Sequence, residues 1–388
     1  MQTNRLTFIV PGLLDPVPYL DQLPVQELPE LAIFSTLLSR GKHSIPESPD
    51  YDYNNYYTCL LKEFALHDLP GSDKSSSNPL SVASICYFYD SVNLPESENI
   101  NSNPDFITQL KNKWIMRVDP CFMAPDRDQL VLAEIQNLDI SMAEARQLVA
   151  EINDFFQDYA EETFWTLQAV TPERWYIVSD KPIHIQTVPP ENVVGQSVKR
   201  FLFTADKLAG GDSRHWLHLF NEFQMILHQS PLNRQRTEQG KLPVNSLWFW
   251  GAGEAIDFSA LSKGSRQTAN VYADNVFAKG LARLKNYRNM KVPDRYQPVS
   301  ANNDQQSMYI ISDFFHAIQN KDIFSWVGLL TQFESHFLMP LVADIKSGRI
   351  AEVNFISPSG KRLLLTRRLL NRWWRKKIPF QHFLSNKI

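Results

Sequence analysis

The chain has 388 residues, of which 43% are hydrophobic and 21% are charged, so it can bury a core larger than that of a typical single domain. This composition excludes a globally disordered chain. The formal net charge is −3, so the protein as a whole does not attract nucleic acid or an anionic membrane, and either partner would need a local basic patch.

The first residues of the sequence and the cysteines indicate the cellular compartment in which the protein is expected. The first apolar run is short and is broken by Pro11, which is not expected of a secretory signal, and no apolar stretch approaches the length of a membrane span. Cys59, Cys86 and Cys121 form no C-x-x-C pair and are odd in number, which argues against a disulfide framework or a structural zinc site. We therefore expect a cytoplasmic protein without a membrane span.

Hydrophobic patterning predicts the first elements of the chain. An apolar run at residues 6–10, ended by Pro11 and Gly12, predicts an opening buried strand. Apolar residues at helical spacing predict a helix over residues 28–41. Polar segments rich in Pro and Ser then predict two loops, at residues 68–79 and 94–104.

The middle and last parts of the chain continue with alternating strands and helices. Residues 114–121 and 130–135 predict paired strands, and Ser141 with Glu144 three residues later predicts a capping box at the start of a helix. The later predicted elements are a strand at 175–179, a helix at 216–228, a strand at 246–250, a helix at 274–284, a strand at 308–311, a long amphipathic helix at 323–345 and a strand near 353–356. This alternation favours a mixed or parallel sheet.

Residues 228–253, HQSPLNRQRTEQGKLPVNSLWFWGAG, carry the most specific pattern in the sequence. They match H-P-V-N, two residues, R, then G-K-L-P-A-N, a buried strand and R-G-A-G in order, and in spacing from Pro231 onward, with two extra residues between His228 and Pro231. The chain thereby resembles the archaeal-type cofactor-independent phosphoglycerate mutases of the alkaline-phosphatase superfamily. Residues 117–153 resemble a further segment of that family, and residues 187–195 resemble another, with Pro190 and Glu191 in place of a His-Asp pair.

With its W-G-x-G turn, its R-x-D-P segment and its tryptophan-rich tail, the chain resembles more closely the bacterial regulatory proteins of RpfE type, which are distant relatives of those mutases. The resemblance implies an α/β fold with an alkaline-phosphatase-like core formed by residues 1–114 and 191–388. In that core, helices cover both faces of a central, mostly parallel sheet. A smaller inserted subdomain is implied at residues 115–190.

The resemblance also implies a two-metal centre for phosphoryl transfer, but its positions are altered here. The Asp-Gly pair that ends the first strand in the family is Pro11-Gly12, and the late D-H-S-T-P motif is replaced by residues 355–358, Phe-Ile-Ser-Pro. The remaining candidate metal ligands are Asp15, Asp313 and His316. No cofactor is expected unless these residues hold Mn²⁺ or Mg²⁺, and Asp313 with His316 fits a helix cap and a surface histidine equally well.

The family's nucleophilic serine falls on Leu80 in this chain. Ser81 is one residue away and is the candidate catalytic nucleophile, because a covalent phosphoryl-serine needs a hydroxyl. The alternative for Ser81 is an ordinary serine at the start of a helix or loop.

The anion-binding half of the motif is better kept, because Asn233 and Arg236 occupy its N-x-x-R positions and a planar guanidinium binds phosphate or carboxylate through two N–H groups. The candidate ligand-binding residues are Asn233, Arg236, Lys241, Asn245, Trp250 and Arg117. Trp250 replaces the family's arginine before G-A-G, which removes one charge. Two alternatives stay open: these residues bind a small anionic metabolite, or they hold the fold, with Arg117 paired to Asp119.

A basic segment at residues 362–377 carries seven Arg or Lys residues together with leucines, Trp373 and Trp374. It predicts either a basic amphipathic element that packs its Leu and Trp face on the core, or a surface for a protein partner. Nucleic acid is not expected, because no recognised binding motif accompanies the segment.

These observations lead to one hypothesis and one alternative. The hypothesis is a phosphoglycerate-mutase-like pseudoenzyme with a degenerate two-metal site, which acts as a regulatory or small-anion-binding protein. The alternative is an active metal-dependent phosphomutase or phosphatase with relocated ligands.

Overall fold

The structure is a computed structural model that describes residues 4–15, 17, 28–45, 54–66, 81–93, 110–127, 129–135, 137–157, 164–185, 187–202, 213–256, 269–298, 306–377 and 379–380. The chain divides into two compact units. Unit 1 comprises Met1–Ala65 and Ser262–Ile388, and unit 2 comprises Leu66–Leu261. Unit 2 contains residues 115–190, the range predicted for the inserted subdomain, whose own boundaries stay a prediction.

The strands, in chain order, are β1 (Arg5–Ile9), β2 (Lys42–Ser44), β3 (Trp114–Asp126), β4 (Gln129–Glu134), β5 (Trp165–Ala169), β6 (Trp175–Ser179), β7 (Ser246–Glu254), β8 (Ala269–Ala273), β9 (Arg288–Met290), β10 (Gln306–Ile310), β11 (Glu352–Ile356) and β12 (Arg362–Leu365). The helices are α1 (Ala32–Arg40), α2 (Asn54–Glu63), α3 (Val82–Val92), α4 (Met142–Gln157), α5 (Ser213–Gln229), α6 (Pro231–Glu238), α7 (Val276–Leu284), α8 (Asp313–Gln319), α9 (Ile323–Phe333), α10 (Met339–Ser347) and α11 (Arg367–Leu370). The predicted loops at 68–79 and 94–104, and Leu80, lie outside the described residues.

Unit 1 is built on a seven-stranded sheet with the order β2-β12-β11-β1-β10-β8-β9. The strands from β11 to β9 run parallel, and β12 and β2 are added antiparallel at one edge. This arrangement confirms the predicted α/β class with a mostly parallel sheet. The predicted strands at residues 6–10, 308–311 and 353–356 are central members of it.

The central strands β1 and β10 carry buried residues on both faces, as expected of parallel strands covered by helices. Leu6 and Phe8 of β1 pack into a core that includes Phe34 of α1 and Trp326 of α9. Ile9 points to the opposite face and is also fully buried. On one edge of the sheet, α7 packs against β8.

Four aromatic rings stack across neighbouring parallel strands of unit 1. Phe355, Phe8, Tyr309 and Tyr272 occupy matched register positions on β11, β1, β10 and β8. Their successive ring centroids are 4.9, 4.8 and 4.3 Å apart, with interplanar angles of 18°, 10° and 6°. Strands in a sheet lie about 4.8 Å apart, so rings in register meet face to face.

Unit 2 contains a five-stranded antiparallel sheet in which β3 is the central strand. The first part of β3 pairs with β6 on one side and β7 on the other, its last residues pair with β4, and β5 extends the sheet beyond β6. The predicted pairing of residues 114–121 with 130–135 is wrong in its register, because β3 pairs with β4 through Phe122–Asp126 while residues 114–121 pair with β6 and β7. The predicted mixed or parallel arrangement is wrong for β6 and β7, because alternation along the chain does not determine which sheet a strand joins.

The long helix predicted over residues 323–345 is interrupted. A π-helical turn, Glu334–Leu338, separates α9 from α10. Pro340 has no backbone N–H and so cannot donate a hydrogen bond to the carbonyl of His336. The backbone N–H of Tyr296 donates to that carbonyl instead, at 3.0 Å. The same turn places the Glu334 carboxylate at the start of α1, where it accepts the N–H groups of Ile33 at 3.3 Å and Phe34 at 2.8 Å.

The basic segment is partly packed and partly exposed. Leu363, Leu365, Leu369 and Leu370 are buried as predicted, but Trp373 and Trp374 are 79% and 64% exposed, so the predicted packing of the tryptophans on the core is wrong. The chain turns sharply after α11, and this turn carries both indoles into solvent. Among the described helices, none combines the length and the apolar character needed to cross a membrane.

Candidate functional site

Arg236 lies on α6 in unit 2 and is 1% exposed. Its Nε and Nη2 donate to the carbonyl of Leu242 at 3.1 and 3.0 Å, and Nη2 also donates to the carbonyl of Leu138. Its Nη1 donates to the carbonyl of Asp139 at 3.3 Å and to the Glu144 carboxylate at 2.6 Å. All five N–H groups of the guanidinium are therefore engaged within unit 2, as the fold-holding alternative requires.

Glu144 is the predicted capping-box acid at the start of α4, and it carries a second contact that the sequence did not indicate. Its Oε2 accepts the backbone N–H of Ser141 at 2.7 Å, and the Ser141 hydroxyl accepts the N–H of Glu144 at 3.2 Å, which confirms the capping box. Burial acts to raise the pKa of Glu144, but the hydrogen bonds from Ser141 and Arg236 have the larger combined effect. The pKa of Glu144 is therefore lowered. The carboxylate thus joins α4 to α6.

Three of the other predicted ligand-binding residues also have partners within unit 2. Asn233 donates to the carbonyls of Leu227 and Val244, both at 2.8 Å, and accepts the N–H of Val244 at 2.9 Å. Asn245 exchanges two 2.8 Å hydrogen bonds with the backbone of Met123. Lys241 forms an ion pair with Asp139 at 2.8 Å.

Arg117, Asp119 and Trp250 form a compact buried group on one face of the antiparallel sheet. Arg117 and Trp250 are cross-strand neighbours on β3 and β7, and the guanidinium carbon lies 4.6 Å from the indole centroid. Two nitrogens of Arg117 donate to Asp119 at 2.8–3.0 Å, and the indole N–H of Trp250 donates to the same carboxylate at 2.6 Å. The structure brings these predicted residues together as an internally neutralised group.

The charges of this group follow from its contacts. Burial disfavours the guanidinium charge, but the adjacent Asp119 carboxylate outweighs that effect and raises the pKa of Arg117 well above its ordinary value. Burial raises the pKa of Asp119, against the opposing effects of Arg117 and Trp250. We regard Asp119 as ionised, because three N–H groups point at its two oxygens.

A second buried pair beside this group was not expected from the sequence. Asp90 of α3 accepts two hydrogen bonds from Arg174, at 2.8 and 2.9 Å, and one from the Tyr176 hydroxyl at 2.6 Å. Asp90 is 4% exposed. Because Asp90 and Arg174 lie 84 positions apart and belong to no motif, the sequence carries no signal for this contact.

Ser81 is the N-cap residue of α3, as the alternative for this residue proposes. Its hydroxyl oxygen accepts the N–H of Ser84 at 3.1 Å and its O–H donates to the carbonyl of Gly253 at 3.2 Å. Gly251 has a φ of +67°, and a Cβ there would lie 3.3 Å from the backbone nitrogen of Ala83. The G-A-G segment is thus the surface on which the start of α3 rests.

In unit 1, Asp15 follows β1 at the carboxyl edge of the parallel sheet, where ligands bind in folds of this class. Its Oδ2 accepts the N–H of Gly12 at 2.9 Å, and its Oδ1 accepts the hydroxyl of Ser357, the residue that follows β11. The Ser357 and Ser359 hydroxyls lie 2.8 Å apart. Both carboxylate oxygens of Asp15 are therefore engaged in closing the turn after β1.

Asp313 and His316 line a surface groove of about 450 Å³ between α8 and α9. Asp322 lies in the same groove, where it caps α9 by accepting the N–H of Ser325 at 2.9 Å. Across the described part of the chain, no three His, Cys, Asp or Glu side chains are grouped so that they could hold a metal ion. The three predicted metal ligands lie in unit 1, whereas the six predicted ligand-binding residues lie in unit 2.

Comparison with known proteins places a family likeness in the middle of the chain. The family model for 2,3-bisphosphoglycerate-independent phosphoglycerate mutase matches residues 108–233. A probable mutase of this kind from Geobacter sulfurreducens is 30% identical over 139 residues, which are 36% of this chain and 33% of the relative. A mutase from Methanosarcina mazei is 32% identical over 92 residues, 23% of this chain and 22% of the relative. The chain thus matches a third or less of these relatives' lengths, and it is phosphoglycerate-mutase-like.

Two solved structures align along most of the chain at low scores. The cofactor-independent phosphoglycerate mutase from Thermoplasma acidophilum covers 100% of this chain and 96% of its own, with a TM-score of 0.39 and 14% identity. A protein from Pyrococcus horikoshii covers 94% of this chain and 88% of its own, with a TM-score of 0.47 and 14% identity. At these scores the alignments add nothing about the site.

Proposed function

We propose that this phosphoglycerate-mutase-like protein has lost the two-metal phosphotransfer centre and acts as a cytoplasmic regulatory protein. The environment of Asp15 is the observation that carries the proposal. The carboxylate after β1 accepts hydrogen bonds from Gly12 and Ser357 on its two oxygens, as a turn-closing group does. Pro11 and the Phe-Ile-Ser-Pro segment at residues 355–358 stand at the positions of two family ligand motifs and offer neither a carboxylate nor an imidazole.

The position of the sequence similarity supports the same proposal. The matched residues 108–233 lie wholly within unit 2, whereas Asp15, Asp313 and His316 lie in unit 1. Similarity in unit 2 therefore gives no reason to expect that the metal positions of unit 1 have been kept. The regulatory role rests on the resemblance of the W-G-x-G turn and the tail to the RpfE-type proteins.

The test is metal content and turnover measured on one sample. The purified full-length chain is dialysed against Mn²⁺, analysed for bound metal, and assayed for 3-phosphoglycerate mutase and phosphatase activity, with an active mutase of the family treated in parallel. We expect neither stoichiometric metal nor turnover. Tightly held metal accompanied by turnover would overturn the proposal.

Binding of a small anion remains a second element of the proposal, and Arg236 is its critical residue. The guanidinium would have to give up contacts with Glu144 and three carbonyls to bind an anion, so its present contacts favour the fold-holding role. Thermal shift with 3-phosphoglycerate tests this point. A shift that disappears in Arg236→Ala but persists in Arg234→Ala, an exposed arginine of the same helix, would support anion binding.

An active metal-dependent phosphomutase or phosphatase is the second candidate, and the groove between α8 and α9 is the observation that favours it. Asp313 and His316 face one cavity of about 450 Å³, large enough for a small phosphorylated substrate. Mn²⁺-dependent turnover that is lost in Asp313→Asn and kept in Asp154→Asn, an exposed carboxylate of unit 2, would establish this function. Absence of turnover in the unmodified chain would remove it.

A further inference from the structure

Residues 371–377 form an exposed turn, here named the tryptophan loop, that is held at both ends. It follows α11, whose Leu370 is 3% exposed, and the chain returns to the core at Phe380, which is also 3% exposed. The Phe380 ring packs on Phe34 of α1 with centroids 5.2 Å apart. The loop is therefore presented by the fold and is not a fraying chain end.

Two arginines tie the tryptophan loop to α1. Arg40 donates from Nη1 to the carbonyl of Leu370 at 2.7 Å, and Arg375 donates from Nη1 to the carbonyl of Ser39 at 3.3 Å. These bonds fix the base of the loop while its tip projects into solvent.

The tip of the loop carries two indole rings in water. Trp373 is 79% exposed and Trp374 is 64% exposed, and their ring centroids lie 6.2 Å apart at an interplanar angle of 82°. Large apolar rings that project from a soluble surface are a marker of an interaction site. Because the two ring planes are nearly perpendicular, the pair does not form a single flat stacking surface.

Six cations lie close to these rings in the sequence. Residues 362–377 contain no Asp or Glu, and no ion pair links any of the six cations to a described residue. The six are Arg367, Arg368, Arg372, Arg375, Lys376 and Lys377. The positive charge is local, since the whole chain has a formal net charge of −3.

We propose that the tryptophan loop docks on an anionic lipid bilayer. Indoles partition into the headgroup region of a bilayer, and Lys and Arg beside them are attracted to anionic headgroups. The Trp373 ring is 79% exposed, so a partner must surround it to bury it. The headgroup layer of a bilayer can surround such a ring without a preformed pocket, whereas a folded protein needs one. This inference is independent of the proposed loss of the metal centre, because the loop shares no residue with the predicted metal and ligand-binding residues.

Other partners fit the loop less well. Single-stranded nucleic acid stacks its bases on aromatic faces along a groove, whereas these two rings stand nearly perpendicular on a projecting turn. An acidic protein would need its own pocket for two protruding indoles. Both partners are outcomes that the experiment distinguishes.

The experiment is co-sedimentation of the full-length chain with vesicles of phosphatidylcholine, with and without phosphatidylglycerol. We expect binding to the anionic vesicles that weakens as salt is raised. Neutralising two cations in the double variant Lys376→Gln, Lys377→Gln is expected to weaken binding about 30-fold. Trp373→Ala with Trp374→Ala is expected to weaken it at least about tenfold, because the rings supply the apolar contact.

Two control variants and two competitors complete the test. Lys199→Gln with Arg200→Gln removes two exposed charges from unit 2, and Phe324→Ala removes a 69% exposed ring from α9, so both should bind vesicles as the unmodified chain does. No binding to anionic vesicles, or equal loss in the controls, would overturn the proposal. So would an oligonucleotide or an acidic protein that binds through the same two tryptophans when vesicles do not.

Discussion

Arg236 occupies a motif position associated with anion binding, yet its contacts are those of a buried structural arginine. Its guanidinium joins the start of α4 to the loop after α6 through Glu144 and the carbonyls of Leu138, Asp139 and Leu242. Removal of the side chain would leave a carboxylate and three carbonyls without their donor. A partly buried charge left without its partner is strongly destabilising.

Arg236→Ala should therefore lower the free energy of unfolding by roughly 3–5 kcal/mol. Arg234→Ala, on the exposed face of the same helix, should change it by less than about 0.5 kcal/mol. Urea unfolding followed by circular dichroism measures both. Equal stability of the two variants would show that the buried contacts of Arg236 do not hold unit 2 together.

Trp250 supplies both a ring and a hydrogen bond to the buried group with Arg117 and Asp119. Trp250→Phe keeps an aromatic face over the guanidinium but removes the indole N–H that donates to Asp119 at 2.6 Å. We expect the free energy of unfolding to fall by about 1–3 kcal/mol, the cost of a buried acceptor that loses one donor. If Trp250→Phe and the unmodified chain unfold at the same urea concentration, the indole N–H contributes nothing.

At the scale of elements, α1 receives its cap from a distant turn. Its own N-cap residue, Leu31, has no side-chain acceptor, and the carboxylate of Glu334 takes two of the free N–H groups at the helix start. The π-helical turn before Pro340 brings Glu334 to that position. The interruption of the long helix thus contributes directly to the stability of α1.

Glu334→Ala should lower the free energy of unfolding by about 1 kcal/mol, the usual value of a lost helix cap, with a further contribution from the helix dipole. Glu334→Gln should recover part of the loss, because an amide oxygen still accepts. Ser335→Ala, on the next residue, serves as the control, since its hydroxyl bonds only to carbonyls of its own helix among described residues. Chemical denaturation of all three variants would decide the point.

The elements that sequence patterns predicted best are those defined by local chemistry. The strand at residues 6–10 and the capping box of Ser141 and Glu144 depend on neighbouring residues, and the structure contains both. The sheet membership of β7 depends on pairing with β3, more than a hundred positions earlier, and was predicted incorrectly.

The candidate site was harder to predict than the elements for the same reason. The motif identified Arg236 and Asp15 as residues of interest but could not show that Glu144 and Ser357 engage them, at separations of 92 and 342 positions. A cation in a sequence has an unknown partner until the fold is known. Roles assigned from motif position alone therefore overstate how many charges are available to a ligand.

At the scale of the whole molecule, the three cysteines are buried and reduced in both units. Burial raises the pKa of Cys59 and of Cys86 from 9.0 to about 12, and burial also raises the pKa of Cys121 well above its ordinary value. The unfolded thiols ionise near pH 9, while the folded thiols keep their protons to much higher pH. Their contribution to stability is therefore complete below pH 9 and is lost progressively as the pH rises towards 12.

We expect the native chain to resist a thiol reagent at pH 8 and to react at all three cysteines after unfolding in urea, because the thiolate is the reactive form. The urea midpoint should also fall between pH 8 and pH 10. A variant with Cys86→Ala should show a smaller fall. Rapid labelling of the folded chain would contradict the burial of these thiols.

Strand β1 has a consequence for how the protein is made. It is translated long before its partners β10 and β11, at Gln306–Ile310 and Glu352–Ile356. Unit 2, Leu66–Leu261, is translated in full before either partner exists, so it can close its antiparallel sheet first. Throughout that interval β1 is an apolar strand with both edges open, which is the state most prone to aggregation. A nascent chain of this protein therefore needs β1 shielded until β10 and β11 have been translated.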